Sequence, residues 1–209
     1  MDPGRDRGDA LVSIRLYVEG GGDSKKLKIA CRKGFSQFLE KAGLAGRMPR
    51  IVACGGRENA YESFKTAQGT GDGQPMLLVD AEGPVLAAGP WQHLGARDGW
   101  NCPGGSTDHQ CHLMVQVMES WFLADRNALT SFYGGRFKEN ALPGHRNIEQ
   151  VPKQDVLRGL EDATRRTRKG PYSKGAHSFD LLGSLDPGRV EGAVAYAKRF
   201  LDALRNASA

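Results

Sequence analysis

The chain has 209 residues, of which 39% are hydrophobic and 25% charged, and its formal net charge is +5. This length suits one full domain, and no stretch approaches the roughly 18 consecutive apolar residues that a membrane span needs. The polar start lacks the apolar segment of a secretion signal, so we expect a cytoplasmic protein whose four cysteines are reduced. The positive charge favours a polyanionic partner without requiring one.

The first part of the chain predicts a parallel sheet. Residues 1–10 are polar and are expected to be a disordered leader. An apolar run at 11–18 predicts a strand, and the glycine turn at 20–22 leads to a helix capped by Asp23 or Ser24 and continuing to about Lys41. A strand at 50–54, a helix at 58–68 and a strand at 76–80 follow. This β-α-β-α-β order is typical of parallel strands joined by right-handed crossovers.

The second part of the chain is expected to be mainly helical. Residues 83–108 are rich in Gly and Pro, show no periodicity, and predict a long loop that carries Trp91 and Trp100. An apolar run at 112–117 is expected to continue into a helix, and further helices are predicted at 153–167, 176–183 and 187–204. Asp186 caps the last of these, with Pro187 at its first position.

These elements predict a single α/β domain over residues 11–209. Its core, at 11–126, is expected to hold a mostly parallel sheet of about four strands flanked by helices. The remainder, at 127–209, is expected to be a helical C-terminal portion.

Carboxylates directly follow two of the apolar runs. The segment V-E-G-G-G-D at 18–23 places Glu19 after the first strand, and L-V-D-A-E-G at 78–83 places Asp80 and Glu82 after the third. Because the carboxyl ends of parallel strands face one crevice, the three side chains are expected to meet. Three carboxylates repel each other unless a cation neutralises them, and hard oxygen ligands suit Mg²⁺ or Mn²⁺. The alternative is that Glu19 caps a turn and the acidic pair is an ordinary strand exit.

Two further charged residues are candidates for this crevice. Glu119 follows the apolar run at 112–117 and could reach the crevice from a fourth strand as a catalytic carboxylate. Asp125, six residues later, does not share a helix face with it and is expected to be structural. Arg57 follows Gly55-Gly56 at a strand-to-helix turn, where backbone N–H groups and a guanidinium could bind a substrate phosphate.

Basic residues near the C-terminus are candidates for substrate binding. The run R-R-T-R-K at 165–169 contains Arg165, Arg166 and Arg168, which could bind a nucleic-acid backbone or simply favour a helix C-terminus. Lys174 and His177 could bind phosphate, and His177 could also transfer a proton.

The cysteine and histidine residues offer a weaker alternative, a zinc site. Its donors would be Cys102, His109, Cys111 and His112, with His93 nearby. Their spacing lacks the paired ligands of ordinary zinc sites, so a zinc centre is not the favoured interpretation.

The acidic motifs resemble those of the TOPRIM domain of topoisomerases, primases and OLD-type nucleases. The wider pattern resembles a bacterial family of uncharacterised TOPRIM-like proteins, often encoded beside an ATPase in phage-defence clusters. Its matching segments are V-E-G-G-G-D at 18–23, G-G-R-E-N-A-Y-E-S-F at 55–64, L-V-D-A-E-G at 78–83, M-V-Q-V-M-E-S-W-F-L-A-D at 114–125 and P-Y-S-K-G-A-H at 171–177, with L-D-P at 185–187.

The resemblance implies that Glu19 acts in acid–base chemistry and that Asp80 and Glu82 hold the metal. The usual Asp-x-Asp pair is Asp80-Ala81-Glu82 here, so the second carboxylate stands on a longer arm.

The expected function is a divalent-metal-dependent nuclease, which would act on DNA or RNA with an ATPase partner in defence or DNA processing. The alternative is a catalytically degenerate sensor or scaffold that docks the ATPase through the loop carrying Trp91 and Trp100 and the basic C-terminal region. A small-molecule phosphotransferase or nucleotide-binding enzyme is a third option. It lacks positive support, because the turn at 20–22 does not match a P-loop.

Overall fold

Parallel strands form the centre of the molecule. The structure is a computed structural model that describes residues 13–71, 73–144 and 146–207, so the leader predicted at 1–10 lies outside the described residues. Within these ranges the strands are β1 (Ile14–Glu19), β2 (Arg50–Gly55), β3 (Gln74–Asp80) and β4 (Cys111–Met114). They lie in the order β2-β1-β3-β4, and each neighbouring pair is parallel. The predicted fold class is therefore confirmed: a parallel four-stranded α/β sheet flanked by helices, consistent with a TOPRIM-like fold.

Helices cover the sheet and make up most of the C-terminal half. The described residues contain α1 (Lys25–Leu39), α2 (Arg57–Thr70), α3 (Pro90–Asp98), α4 (Arg126–Tyr133), α5 (Lys153–Thr164), α6 (Lys174–Ser184), α7 (Pro187–Ala193) and α8 (Ala195–Ala207). None of the helices in this part of the chain is long and apolar enough to cross a membrane.

Local signals in the sequence set several helix ends. Ser24 caps α1, because its side chain accepts a hydrogen bond from the Leu27 backbone N–H. After α1 the chain continues through a π-helical segment, Glu40–Leu44, in which Gly43 has a φ of 89°. Asp186 caps α7 with Pro187 at its first position, as predicted.

The prediction of a loop at 83–108 is wrong in its middle, where α3 forms. Pro90 occupies the first turn of α3, and Gly99 ends the helix in a left-handed conformation with a φ of 72°. Trp91 and Trp100 are 7% and 6% exposed, and the Trp100 ring stacks on Tyr61 with a centroid separation of 4.5 Å. The exposed tryptophan loop expected from the sequence is therefore absent from this segment, because both rings pack against α2.

Three helix predictions in the second half also need correction. The run at 112–117 leads into a 3₁₀ segment, Met118–Ala124, and Asp125 then caps α4. The helix predicted at 153–167 ends at Thr164. The helix predicted at 187–204 is divided into α7 and α8, because Val194 takes an extended conformation with a φ of −130° and buries its side chain.

Alternate residues of the central strands face two separate hydrophobic layers. In β1, Leu16 and Val18 face the layer that contains α1, α6 and α8, while Tyr17 faces the layer that contains α2 and α3. Apolar coverage of both faces explains why the strands are nearly continuous apolar runs. It also leaves the carboxyl edge of the sheet as the place where polar side chains gather.

Candidate metal centre

Three carboxylates meet at the carboxyl edge of the sheet. Glu19 and Asp80 are the last residues of the neighbouring strands β1 and β3, and Glu82 follows two residues later. One carboxylate oxygen from each lies within 4.8 Å of the others. The predicted acidic cluster is thus present in the structure. Within the described ranges, the cysteine and histidine residues considered for zinc form no such group.

Each carboxylate is held by the surrounding structure. Glu19 Oε2 accepts hydrogen bonds from the Asp80 backbone N–H at 3.0 Å and from Arg57 Nη1 at 3.3 Å. Asp80 Oδ1 accepts one from the Met118 backbone N–H at 2.8 Å. Glu82 has a φ of 64° and pairs with Lys153. The acidic side chains are therefore positioned before any ligand binds.

Burial and mutual repulsion disfavour the charged forms of two of these groups. Burial raises the pKa of Glu19, although the Arg57 guanidinium opposes this shift. Burial raises the pKa of Asp80 well above its usual range, and the nearby carboxylates of Glu19 and Glu119 raise it further. A cation placed among the carboxylates would relieve both effects.

The guanidinium of Arg57 is engaged within the protein. Nε and Nη2 donate to the two oxygens of Asp98 at 3.0 and 2.6 Å, and Nη1 donates to Glu19 and to the Asp80 carbonyl. Its Cζ lies 4.9 Å from the centroid of the Trp100 ring. Arg57 therefore fixes the acidic cluster, and its role as a phosphate ligand stays a prediction.

A second polar group adjoins the cluster on the side of α6. Lys174 Nζ lies 4.0 Å from Asp80 Oδ2 and 3.2 Å from Glu119 Oε2. Burial lowers the pKa of Lys174, but Glu119 and Asp80 raise it by more, so the net direction is upward. Tyr172 donates a hydrogen bond to Glu119 Oε1 at 2.7 Å. The other oxygen, Oε2, is buried and accepts no hydrogen bond from a described residue, despite its contact with Lys174.

These groups border a cavity of about 230 Å³, which we call the acidic cavity. Its wall includes the glycine turn at 20–22, Asp80, Glu119 and the start of α6. Glycine is required at position 55, where φ is 83° and a Cβ would lie 2.6 Å from the Gly22 carbonyl oxygen. The turns after β1 and β2 can therefore approach each other closely beside the acidic cavity.

The other predicted residues lie away from the acidic cluster. His177 is one turn along α6 from Lys174, and the Tyr133 hydroxyl lies 3.1 Å from its Nδ1. Burial and the nearby Lys169 lower the pKa of His177. Arg165 pairs with Glu161 and Asp162, whereas Arg166 and Arg168 line a separate cavity.

Sequence reasoning missed several residues that complete the site. Lys153 and Arg97 both approach Glu82, and Tyr172 holds Glu119. Tyr172 belongs to the segment P-Y-S-K-G-A-H at 171–177, so the resemblance could have identified it as a candidate site residue. Lys153 and Arg97 had no signal, because only the tertiary structure brings them to Glu82.

The fold and the site together define an α/β protein with a candidate divalent-metal centre at the carboxyl edge of a parallel sheet. The chain belongs to the family described as "Domain of unknown function (DUF4276)", whose model matches residues 18–205. No curated protein and no solved structure matches the chain significantly. The matched region contains every residue of the acidic cluster and its surroundings.

Proposed function

We propose that this protein is a divalent-metal-dependent nuclease of TOPRIM type, which hydrolyses phosphodiester bonds of DNA or RNA. The observation that carries this proposal is the clustering of Glu19, Asp80 and Glu82, with an oxygen from each within 4.8 Å of the others. As the resemblance implies, the nuclease would act with an ATPase partner in anti-phage defence or DNA processing.

The donor set fits Mg²⁺ or Mn²⁺. All three side chains offer hard carboxylate oxygens, and the raised pKa values of Glu19 and Asp80 indicate that their negative charges lack full compensation within the protein. Glu19, Asp80 and Glu82 would hold the ion. When bound, it would polarise the phosphoryl group and neutralise charge on its oxygens.

The protein's own residues would position the substrate and move protons. Glu19 Oε1 makes no hydrogen bond within the described residues, whereas Oε2 is fixed by Asp80 and Arg57. With Asp80 and Glu82 as the principal ligands of the ion, as the resemblance implies, Glu19 can accept a proton from an attacking water through Oε1. The ammonium group of Lys174, held by Glu119, is placed to stabilise negative charge that develops on the phosphoryl oxygens.

The test is cleavage of mixed DNA and total tRNA with Mg²⁺ or Mn²⁺, with and without a candidate ATPase partner. Wild type is compared with Glu19→Gln and Asp80→Asn, which preserve side-chain shape. Glu62→Gln, an exposed carboxylate on α2, is the charge-matched control. We expect metal-dependent cleavage by wild type and the control, and at least a hundredfold loss in both site variants. Equal cleavage by all four proteins would refute the site assignment.

The scaffold alternative depended on an exposed apolar surface around Trp91 and Trp100. Both side chains are buried against α2, so this surface does not support docking of a partner. The scaffold function becomes the better account only if wild type is inert with every substrate and with the ATPase present.

A further inference from the structure

A second cavity, of about 560 Å³, lies beyond the C-terminal end of α5. We call it the arginine cavity, since Arg136, Arg166 and Arg168 line it together with Gly134 and Gly135. Arg136 comes from the loop after α4, and the other two follow α5. Arginines from two separate segments thus converge on one space.

The arginines of this cavity lack the anionic partners that neighbouring cations have. Within the described residues, no ion pair involves Arg136, Arg166 or Arg168. By contrast, the neighbouring Arg165 Nη2 lies 2.7 Å from Asp162 Oδ1 and 3.6 Å from Glu161 Oε1. Three like charges around one cavity repel each other, so a bound anion would be favourable there.

The backbone holds Arg136 in an unfavourable conformation. Its φ is 71°, in the left-handed region that costs a residue other than glycine roughly 1–2 kcal/mol. The Lys138 backbone N–H donates to the Ala163 carbonyl at 2.9 Å, which fixes this loop to the end of α5. The loop therefore keeps Arg136 beside the arginines that follow α5, although glycine would satisfy the backbone better.

Helix α6 connects the arginine cavity to the acidic cavity. Lys174, its first residue, borders the acidic cavity. His177 lies three residues later, about 4.5 Å along the helix axis, and contacts the hydroxyl of Tyr133, which borders the arginine cavity. A polymer bound at the acidic cavity could therefore reach the arginine cavity within a few nucleotides.

We propose that the arginine cavity binds a backbone phosphate of a DNA or RNA strand, away from the bond that is cut. Guanidinium groups bind phosphate oxygens through paired hydrogen bonds, and the exposed positions of these arginines suit a polymer that lies across the surface. This inference rests on the proposed nuclease function and adds a subsite that would favour polymers over short diesters.

The test measures binding separately from cleavage. Fluorescein-labelled single-stranded DNA and RNA oligonucleotides are titrated with the full chain in EDTA, and anisotropy is followed between 50 and 200 mM salt. The Arg166→Gln/Arg168→Gln variant should raise the Kd at least tenfold for the preferred nucleic acid. It should also reduce the slope of log K against log salt by about 0.7 for each phosphate that the variant no longer neutralises.

The control is Arg158→Gln/Arg189→Gln, which removes the same charge from exposed arginines that already have carboxylate partners. It should change the Kd by no more than about twofold. Arg136→Gly, which relieves the backbone conformation, should weaken binding without lowering the midpoint of urea unfolding. Equal weakening by the two double variants, or none in either, would overturn the inference, because binding would then follow total charge or use another surface.

Hydrolysis of a small diester, bis(4-nitrophenyl) phosphate, by wild type with Mn²⁺ tests the nuclease proposal independently. Wild type that is inert with this diester, with DNA and with tRNA in the presence of a candidate ATPase, combined with arginine-dependent binding, would remove the nuclease proposal and leave the arginine cavity as a phosphate-binding surface. If wild type hydrolyses the diester and the Arg166→Gln/Arg168→Gln variant binds nucleic acid as tightly as wild type, only the subsite proposal fails.

Discussion

Arg57 is partly buried beside the carboxylates of Glu19 and Asp98, and we expect it to affect catalysis through Glu19. The guanidinium lowers the pKa of Glu19 against the effect of burial. Arg57→Gln should therefore raise the pKa of Glu19 and move the acid limb of metal-dependent activity to higher pH. A pH–rate profile of wild type and variant measures this shift.

Arg57→Lys is the matched comparison, because it keeps the charge but cannot form the paired hydrogen bonds to Asp98. We expect its acid limb to stay near that of wild type while the rate falls by about 10²-fold through misplacement. An unmoved acid limb in Arg57→Gln would show that Arg57 does not act through Glu19.

The buried pair of Tyr172 and Glu119 should contribute measurably to stability. Tyr172→Phe removes the hydrogen bond to Glu119 Oε1, whereas the ion pair of Lys174 with Oε2 remains. Leaving this buried acceptor unpaired should lower the free energy of unfolding by about 1–3 kcal/mol. Urea unfolding measures the loss. In the background of Glu119→Leu, which removes the acceptor, the same substitution should cost much less, and an equal cost in both backgrounds would contradict this pairing.

Because His112 is buried in its neutral form, we expect the free energy of unfolding to depend on pH. Its Nε2 lies 3.0 Å from the His109 carbonyl oxygen, and Arg199 Nη1 donates toward its Nδ1, so the neutral ring satisfies both contacts. Burial, reinforced by the charge of Arg199, lowers the pKa of His112 to about 3, below an unfolded value of about 6.5. The unfolded state then binds the proton first, and stability falls as pH decreases from about 6.5 toward 3.

This loss should approach about 1.4 kcal/mol per pH unit within that window. Urea unfolding between pH 7.5 and 4.5 measures it, with His112→Gln as the comparison. The difference in stability between the two proteins should shift in favour of the variant as pH falls. A constant difference would show that His112 does not titrate in this way.

At the scale of elements, the contact between α1 and α6 determines where Lys174 lies. Gly34 of α1 packs directly on the α6 backbone, where an added Cβ would overlap the Phe179 carbonyl oxygen and lie 3.1 Å from the Phe179 Cα. From the sequence alone, Gly34 is only a weak point in a helix; in the structure it permits the close approach of two helices.

Gly34→Ala should therefore destabilise the protein, although alanine is the better helix former by about 1 kcal/mol. We expect a net loss of about 1–3 kcal/mol in urea unfolding, because the clash involves backbone that cannot move freely. Gly69→Ala in α2 is the matched control, since a Cβ there meets nothing within 4 Å. It should be neutral or stabilising by up to about 1 kcal/mol, and the same sign for both variants would contradict the packing argument.

At the scale of the whole molecule, the sequence predicts the sheet and its acidic edge better than it predicts the surroundings. Glu19 and Asp80 were predictable because each directly follows an apolar run, and strand order then brings them together. Trp91 was misplaced, because α3 is a short helix among glycines and prolines, and its apolar spacing is too brief to reveal the helix. Lys153 and Arg97 could not be predicted, since their relation to Glu82 exists only in the folded chain.

The clustered carboxylates that would bind a metal ion should lower the free energy of unfolding of the metal-free protein. Asp80→Asn can retain the hydrogen bond from the Met118 backbone N–H while it removes a charge that Glu19 and Glu119 repel. In EDTA this variant should be more stable than wild type, by about 0.5–2 kcal/mol.

Metal should offset that difference, and it should reverse the order where the difference in EDTA is below about 1.4 kcal/mol. At a concentration ten times its Kd, an ion that binds only the folded state stabilises wild type by roughly 1.4 kcal/mol, whereas Asp80→Asn lacks one of the ligands and should respond little. For a chain of this size that gain raises the Tm by about 3–5 °C. Thermal unfolding of both proteins in EDTA, Mg²⁺ and Mn²⁺ measures the effect. Equal responses would place the ion elsewhere, whereas a response confined to wild type would show that the ion needs Asp80, because Asp80 is the only residue changed.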